Sequence, residues 1–356
     1  MNNPLGLPLL VLIFVGCAAV IWLAGIRLSN TTDVLDDRLH LGSALGGVVL
    51  LAIATNLPEI AITVAAAVSG NIGVAVGNIL GGIAIQTLVL VALDILGGRD
   101  RVSLTYRAAS LGLVLEAGLV IAVLTVVVMG SQLPATLHAS RGAPASILIT
   151  VLWLAGVLVI SKARGHLPWQ QAGEAPDNQK PPRGHSKHTK NQHATDKHVS
   201  TTRAALVFGV AAAATLVAGY VLEQSGDAIA GHIGLTGVLF GATVLAAATS
   251  LPELSTGLTS VRLGDTQLAM SDIFGGNAFL PVLFLVATLI SGTPVLPHAQ
   301  TTDIYLTGLG MLLTVIYLVG LIFRPRRTIA GMGSDSLAVL ILYGAGIAGL
   351  VAIATT

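Results

Sequence analysis

Charged, aromatic and cysteine residues are all scarce in this sequence of 356 residues. Charged side chains make up 10% of it, whereas soluble domains carry about 25%, so an ordinary water-soluble fold is excluded. With a formal net charge of +1 and 4% aromatic residues, the chain has neither a basic surface nor a stacking platform, and we expect no nucleic-acid partner. The single cysteine, Cys17, excludes an intramolecular disulfide and a thiolate metal cluster.

Apolar residues and glycine are abundant instead. Hydrophobic residues make up 54% of the chain, its mean hydropathy is +0.84, and it contains 41 glycines. Small residues inside apolar runs let helix backbones approach closely in lipid. The composition therefore predicts an all-α polytopic membrane protein with membrane lipid as its constant partner.

The apolar runs are long enough for ten crossings, since about 20 residues span the hydrocarbon core. They lie near residues 5–24, 41–68, 72–95, 108–129 and 144–161, and then 204–222, 235–260, 268–290, 304–323 and 337–354. No Lys or Arg precedes the first run, which is longer than a signal-peptide core, so we expect it to remain as a helix. The sequence predicts a five-helix repeat over 1–161, a polar loop over 162–203 and a second five-helix repeat over 204–356.

The basic residues indicate the orientation, because Lys and Arg remain on the cytoplasmic side. In the ten-helix topology, 17 of the 18 fall on one side and only Arg141 falls on the other. A missed helix would scatter the later charges over both sides. We therefore expect both termini outside, the central loop in the cytoplasm and a cell (inner) membrane location.

The central loop is rich in histidine, with His166, His185, His188, His193 and His198 among polar residues. This composition predicts a disordered segment. Binding of Zn²⁺ or pH sensing is one interpretation. The spacings do not match a compact metal site, so we favour a solvated, positively charged linker.

The two halves of the chain repeat each other. An offset of 194 residues places 54–59 on 248–253, so that Glu59 aligns with Glu253, and it also places Gly81-Gly82 on Gly275-Gly276. Because each half has an odd number of crossings, the second enters the membrane from the opposite side. Inverted repeats of this kind are typical of alternating-access transporters.

Glu59 and Glu253 lie inside apolar spans, where an ionisable group costs at least about 2.5 kcal/mol. Each follows a proline, which removes a backbone hydrogen bond and frees carbonyls one turn earlier. Carbonyl, hydroxyl and carboxylate oxygens are the ligands of hard cations such as Ca²⁺ and Na⁺. The motif therefore predicts a cation site with the two glutamates as metal ligands, supported by Ala54, Thr55, Ala248, Thr249 and Ser250.

On these residues the sequence resembles the calcium/cation antiporter superfamily, which includes the sodium/calcium exchangers. The resemblance rests on residues 54–59 with 77–86 and on 248–253 with 271–280. The family motif in each repeat is G-T-S-x-P-E followed by G-N-x-x-G-S-N-x-x-N or D. It implies paired ion-binding glutamates and adjacent threonines at Glu59, Glu253, Thr55 and Thr249, with further oxygen ligands at Ser250, Gln86 and Asn277.

Several positions depart from the family motif. Asn56 replaces a serine, Asp272 replaces an asparagine, and we expect both to remain in the site. Gly82 and Gly276 stand where the family places a sodium-binding serine, and Ile83 and Leu280 replace amides. These changes weaken the monovalent sites that the resemblance implies.

Charge balance suggests the exchange. Two carboxylates are neutralised by one Ca²⁺, two Na⁺ or two H⁺, and a neutral loaded site passes the low-dielectric gates at least cost. The sequence therefore predicts electroneutral antiport of Ca²⁺ for two monovalent ions, either Na⁺ or H⁺. We expect inorganic cations as cargo, no cofactor and no enzymatic activity.

Alternatives remain open at this stage. Another divalent or monovalent cation exchanged for protons keeps the same fold, a cation channel would use the acids as a filter, and an intramembrane hydrolase would use them as catalysts. Glu116 is either a proton relay or a structural hydrogen-bonding group. We expect Asp94 to be solvated or paired with an arginine.

Overall fold

The computed structural model of the chain describes residues 5–39, 52–97, 102–133, 143–163, 200–234, 240–262 and 264–354. Its helices are α1 (Leu7–Leu39), α2 (Leu57–Ser69), α3 (Ile72–Gly97), α4 (Leu104–Ala108), α5 (Leu111–Ser131), α6 (Pro144–Ala163), α7 (Thr201–Ile233), α8 (Ala246–Thr249), α9 (Leu251–Arg262), α10 (Thr266–Phe279), α11 (Leu283–Ser291), α12 (Thr301–Phe323) and α13 (Ser334–Ala354). Two short antiparallel strands, β1 (Thr328–Ile329) and β2 (Met332–Gly333), precede α13.

Eight helical segments of the described chain are long and apolar enough to cross a membrane. They correspond to eight of the ten predicted crossings, and the helical membrane fold is confirmed. The other two, 41–68 and 235–260, begin in or include residues outside the described chain. In their described parts both are interrupted, at Asn56 and at Ser250.

The most buried helices of the bundle are α3 and α10, each of which follows an interrupted segment in the chain. Burial is 78% in the apolar window of α3 and 72% in that of residues 266–291, against 28% for α1 and for α7. α3, α5, α10 and α12 supply most of the main apolar core. The second polar motif of each repeat is therefore placed at the centre of the protein.

Two long helices, α1 and α7, flank this centre. They pack along each other, and each also contacts an interrupted helix of the other repeat: α1 packs on α9 and α7 packs on α2. Both have 33 residues, so they extend well beyond the predicted spans 5–24 and 204–222. The first helix of each repeat thus packs against the interrupted helix of the other repeat.

Capping residues correct one predicted boundary. The fourth crossing was expected to start at Ala108, but that residue ends the short helix α4 and the crossing starts at Leu111. The side chains of Ser103 and Ser110 accept hydrogen bonds from Tyr106 N and Leu113 N, which starts a new helix at each serine. The predictions for the histidine-rich loop fall mostly on residues 164–199, outside the described chain.

Candidate cation-binding site

Each interrupted helix turns at one polar residue. Asn56 (φ −85°, ψ 15°) and Ser250 (φ −81°, ψ 7°) both leave the helical conformation. Their side chains fold back onto the carbonyl four residues earlier: Asn56 Nδ2 donates to Ala52 O at 2.7 Å, and Ser250 Oγ donates to Ala246 O at 2.8 Å. The proline two positions later has no N–H to continue the ladder, so a new helix starts at each turn.

The two glutamates lie in the first turn of these new helices and are fully buried. A carboxylate there is favoured by the positive end of the helix dipole. Gln86 of α3 connects them, since its Nε2 donates to Glu59 Oε1 at 3.4 Å and to Glu253 Oε1 at 3.3 Å. The same nitrogen lies 2.9 Å from Asn56 Oδ1, so its two hydrogens are shared among three acceptor oxygens. The structure thus brings together Glu59, Glu253, Gln86 and Asn56, with Thr249 beside Glu59.

Several oxygens around this amide are buried and have no hydrogen-bond partner among the described residues. They are Glu59 Oε2, Glu253 Oε2 and Gln86 Oε1. Burial of a polar group without a partner is costly, and a cation among these oxygens would remove the cost. The unpartnered atoms are all oxygens, which suit protons and hard cations such as Ca²⁺ and Na⁺. Among the described residues, no group of three or more His, Cys, Asp or Glu side chains forms a metal site.

Asp272 joins the two repeats next to this group. Its Oδ1 accepts a hydrogen bond from Thr55 Oγ1 at 3.3 Å and its Oδ2 accepts one from Thr256 Oγ1 at 2.8 Å. Thr256 also lies 3.2 Å from Glu253 O. Sequence reasoning missed Thr256, although it stands three residues after Glu253 and hence on the same helix face.

The remaining predicted ligands lie at the edge of the site. Asn277 donates from Nδ2 to Thr87 Oγ1 at 3.0 Å, which connects α10 to α3 beside Gln86. Its buried Oδ1 has no hydrogen-bond partner within the described ranges. Asn78, the amide of the first G-N, donates to Glu59 O at 3.1 Å and to Thr63 Oγ1 at 3.3 Å. Asn78 was not among the predicted ligands, and it holds the Glu59 backbone.

Two glycines stand where the family motif has a serine, and each faces a larger side chain of the other repeat. A Cβ at Gly276 would lie 2.7 Å from Asn56 Nδ2, and a Cβ at Gly82 would lie 3.7 Å from Leu280 Cδ1 and 4.0 Å from Glu59 Cγ. In each pair, a larger residue in one repeat faces a glycine in the other. Asn56 therefore occupies the space that a side chain at Gly276 would need, whereas a Cβ at Gly82 would make ordinary van der Waals contacts with Leu280 and Glu59.

The expectation for Asp94 is wrong. Asp94 is 2% exposed and accepts hydrogen bonds from Leu104 N and Gly333 N at 2.7 Å and from Ser336 Oγ at 2.8 Å. It is a structural acceptor that joins the end of α3 to the start of α13. Glu116 is buried in α5, and its predicted alternatives both remain predictions.

Comparison with known proteins identifies the family. A sequence profile described as "Sodium/calcium exchanger protein" matches residues 9–169 and 203–352. The inner membrane protein YrbG of Escherichia coli (strain K12) is 27% identical over 299 residues, which cover 82% of this chain and 83% of YrbG.

Solved structures have the same fold. A crystal structure of the H⁺/Ca²⁺ exchanger CAX matches with a TM-score of 0.65 and 12% identity, over 97% of this chain and 86% of CAX. The sodium-calcium exchanger NCX_Mj, soaked with 10 mM Na⁺ and zero Ca²⁺, matches with a TM-score of 0.59 and 14% identity, over 96% of this chain and 99% of its own. Since the family profile spans most of both halves, the chain belongs to the sodium/calcium exchanger protein family, and it is a multi-pass membrane protein of the calcium/cation antiporter superfamily.

Proposed function

We propose that this protein exchanges one Ca²⁺ for two protons by alternating access, with Glu59 and Glu253 as the ligands that both cargoes share. The observation that carries the proposal is the buried pair of carboxylates, one from each repeat, joined through the Gln86 amide. Glu59 Oε2, Glu253 Oε2 and Gln86 Oε1 are buried and have no hydrogen-bond partner in the part of the chain that the structure describes. Coordination by several such oxygens is what Ca²⁺ requires.

The charge of the site sets the stoichiometry. The side chains that contact the two carboxylates, Gln86 and Thr249, are neutral. One Ca²⁺ or two protons therefore balance the pair equally, so the exchange of one cargo for the other moves no net charge. A third acid, Asp272, has both oxygens engaged by threonine hydroxyls and is proposed to position Thr55 at the site.

The absence of serine oxygens at Gly82 and Gly276 favours protons over sodium as the counter-ion. Sodium needs several oxygen ligands in addition to the carboxylates, while a proton needs one oxygen. Asn56 occupies the space beside Gly276, and Leu280 packs beside Gly82. Sodium exchange is the alternative, and it would require Gln86, Ser250 and Asp272 to replace the missing serines.

The arrangement in the membrane is proposed from the sequence. We place the protein in a cell (inner) membrane with both termini outside and residues 162–203 as a cytoplasmic loop between repeats 1–161 and 204–356. The gap of the family profile, between residues 169 and 203, supports this division. The description of YrbG as an inner membrane protein supports the location.

Uptake of radioactive Ca²⁺ into proteoliposomes tests the proposal. An outward H⁺ gradient and an outward Na⁺ gradient are imposed separately, with Glu253→Gln as the control variant. We expect saturable uptake with the H⁺ gradient, little with the Na⁺ gradient and none in the variant. Uptake that does not saturate and needs no counter-ion would indicate a channel, and uptake only with Na⁺ would overturn proton coupling. Competition by Mn²⁺ and Mg²⁺ in the same assay tests whether Ca²⁺ is the cargo.

A further inference from the structure

The flanking helices α1 and α7 contact the interrupted helices through two glycines. A Cβ at Gly25 of α1 would lie 3.0 Å from Pro252 Cα and 3.1 Å from Pro252 Cβ. A Cβ at Gly219 of α7 would lie 3.1 Å from Pro58 Cα and 3.4 Å from Pro58 O. Both glycines are buried. At each contact the helix backbone therefore lies directly against the proline that precedes a site glutamate.

These two contacts are related by the same offset of 194 residues that relates Pro58 to Pro252. The glycine of the first repeat touches the proline of the second, and the glycine of the second touches the proline of the first. The glycines stand more than 30 positions before the Pro-Glu pairs, so the sequence motif does not contain them. The repetition indicates a property of both repeats rather than one accidental contact.

Apolar clusters enclose both turns on the same side. Ile21 of α1 and Leu222 of α7 pack with Ala248 and Leu251 around the second turn. Leu28 of α1 packs with Ala54 and Leu57 around the first turn, in a cluster that includes Ala211 of α7. Each turn thus packs with residues of both flanking helices, and a Cβ at either glycine would lie 3.0–3.1 Å from the proline of the turn.

We propose that Gly25 and Gly219 are positioning residues, each of which sets the place of the Pro-Glu turn, and hence of the glutamate, in the opposite repeat. The inference rests on the proposed cation site and extends it to two residues that touch no ligand. A methyl group at either position meets proline backbone, which cannot rotate away as a flexible side chain can. The turn must shift by a few tenths of an ångström, and the glutamate that follows it moves as well.

A shift of this kind predicts a specific kinetic signature. Displacing one of the two shared ligands weakens cation binding, so the half-saturating Ca²⁺ concentration should rise. We expect a rise of about tenfold, because misplacement of a reacting group by 1 Å can cost about 100-fold and Ca²⁺ tolerates some variation in geometry. Loss of packing alone would lower the amount of active protein and leave half-saturation unchanged.

The chain offers matched controls on the same two helices. A Cβ at Gly16 of α1 or at Gly209 of α7 would meet nothing within 4 Å. Replacement of any of these four glycines by alanine changes helix propensity alike, by about 1 kcal/mol in favour of the helix. The pairs Gly25→Ala with Gly16→Ala, and Gly219→Ala with Gly209→Ala, therefore differ in the proline contact.

The test measures half-saturation and maximal rate of Ca²⁺ uptake for the full-length protein and these four variants in proteoliposomes. Thermal unfolding in detergent accompanies each. We expect Gly25→Ala and Gly219→Ala to raise half-saturation about tenfold, and the two controls to change it less than twofold. An unchanged half-saturating Ca²⁺ concentration in both Gly25→Ala and Gly219→Ala overturns the inference. So does a failure of both to fold while the controls fold, since the contacts would then be structural only.

Failure of the proposed function gives a different pattern. If Glu59→Gln and Glu253→Gln retain uptake, the paired-glutamate site is wrong whatever the glycine variants do. If both glutamate variants are inactive and the glycine variants match wild type, the site stands and the positioning role falls. If only one of Gly25→Ala and Gly219→Ala folds, its half-saturating Ca²⁺ concentration alone decides whether the inference holds, because the same rise is expected for both variants.

Discussion

In the first repeat, Glu59 is surrounded by amides: Gln86 donates to it, Asn56 forms the turn before it, and Asn78 holds its backbone. The corresponding positions in the second repeat are Leu280, Ser250 and Asp272. Gln86 reaches across to Glu253 as well, so a single amide from the first repeat serves both glutamates. The second repeat supplies a third acid instead.

This comparison separates two properties of the site. The features that the repeats share, a polar turn, a proline and a buried glutamate, fix the charge that any cargo must balance. The features that differ fix the number and type of additional oxygen ligands. Charge balance is therefore a symmetric property of this protein, and ion selectivity is an asymmetric one.

The largest expected effect tests the symmetric part. Glu59→Gln and Glu253→Gln should each reduce exchange by about 100-fold or more, because each removes one of the two negative charges that balance Ca²⁺, and an uncompensated charge left from a buried ion pair costs about 3–5 kcal/mol. Ca²⁺ uptake in proteoliposomes measures this, with Glu223→Gln on α7 as the control. A tenfold difference between the two site variants would show that the glutamates are not equivalent.

The second prediction removes the main asymmetry. Gln86→Leu makes the first repeat like the second at this position and leaves both carboxylates without their shared donor. It also removes Gln86 Oε1, which is buried without a partner among the described residues and is proposed as a cation ligand. A polar contact to a charged group contributes about 1.5–3 kcal/mol, so the half-saturating Ca²⁺ concentration should rise about 10- to 100-fold. Gln132→Leu, at an exposed position after α5, is the control. Wild-type affinity in Gln86→Leu would remove the amide from the site.

The third prediction tests whether the Asn56 side chain occupies the space beside Gly276. Gly276→Ser places a side chain against Asn56 Nδ2, and such overpacking costs about 1–3 kcal/mol. Thermal unfolding should therefore occur at a lower temperature in Gly276→Ser, and the double variant Asn56→Ser/Gly276→Ser should recover most of the loss. If the double variant is no more stable than Gly276→Ser alone, the two positions do not share this space.

The smallest expected effect concerns the acid found only in the second repeat. In Asp272→Asn, the amide oxygen still accepts from one threonine, so we expect exchange to fall about three- to tenfold, which corresponds to about 1 kcal/mol for one altered hydrogen bond. Uptake kinetics measure it. A loss as large as that of Glu253→Gln would make Asp272 a direct ligand of the cation.

The helical membrane fold could be predicted from the sequence, because the apolar runs and the polar residues that separate them are local signals. The interruptions at Asn56 and Ser250 also follow from local prolines. Contacts between the repeats were not predictable in this way. Thr55 and Asp272 are hydrogen-bonded although they are 217 positions apart in the sequence, and Asp94 and Gly333 although they are 239 apart. No local sequence pattern indicates such a partner. For the same reason the sequence did not predict the positioning role proposed for Gly25 and Gly219, because each contacts a proline of the opposite repeat.

The central claim is that two glutamates are balanced by each cargo, and charge movement tests it most directly. Proteoliposomes are equilibrated with Ca²⁺ at a fixed pH gradient while K⁺ and valinomycin clamp the membrane potential at 0 or −100 mV. The account predicts the same Ca²⁺ distribution at both potentials. Movement of one net charge through 100 mV is worth about 2.3 kcal/mol, so a shift of the distribution by roughly 50-fold would contradict electroneutral exchange.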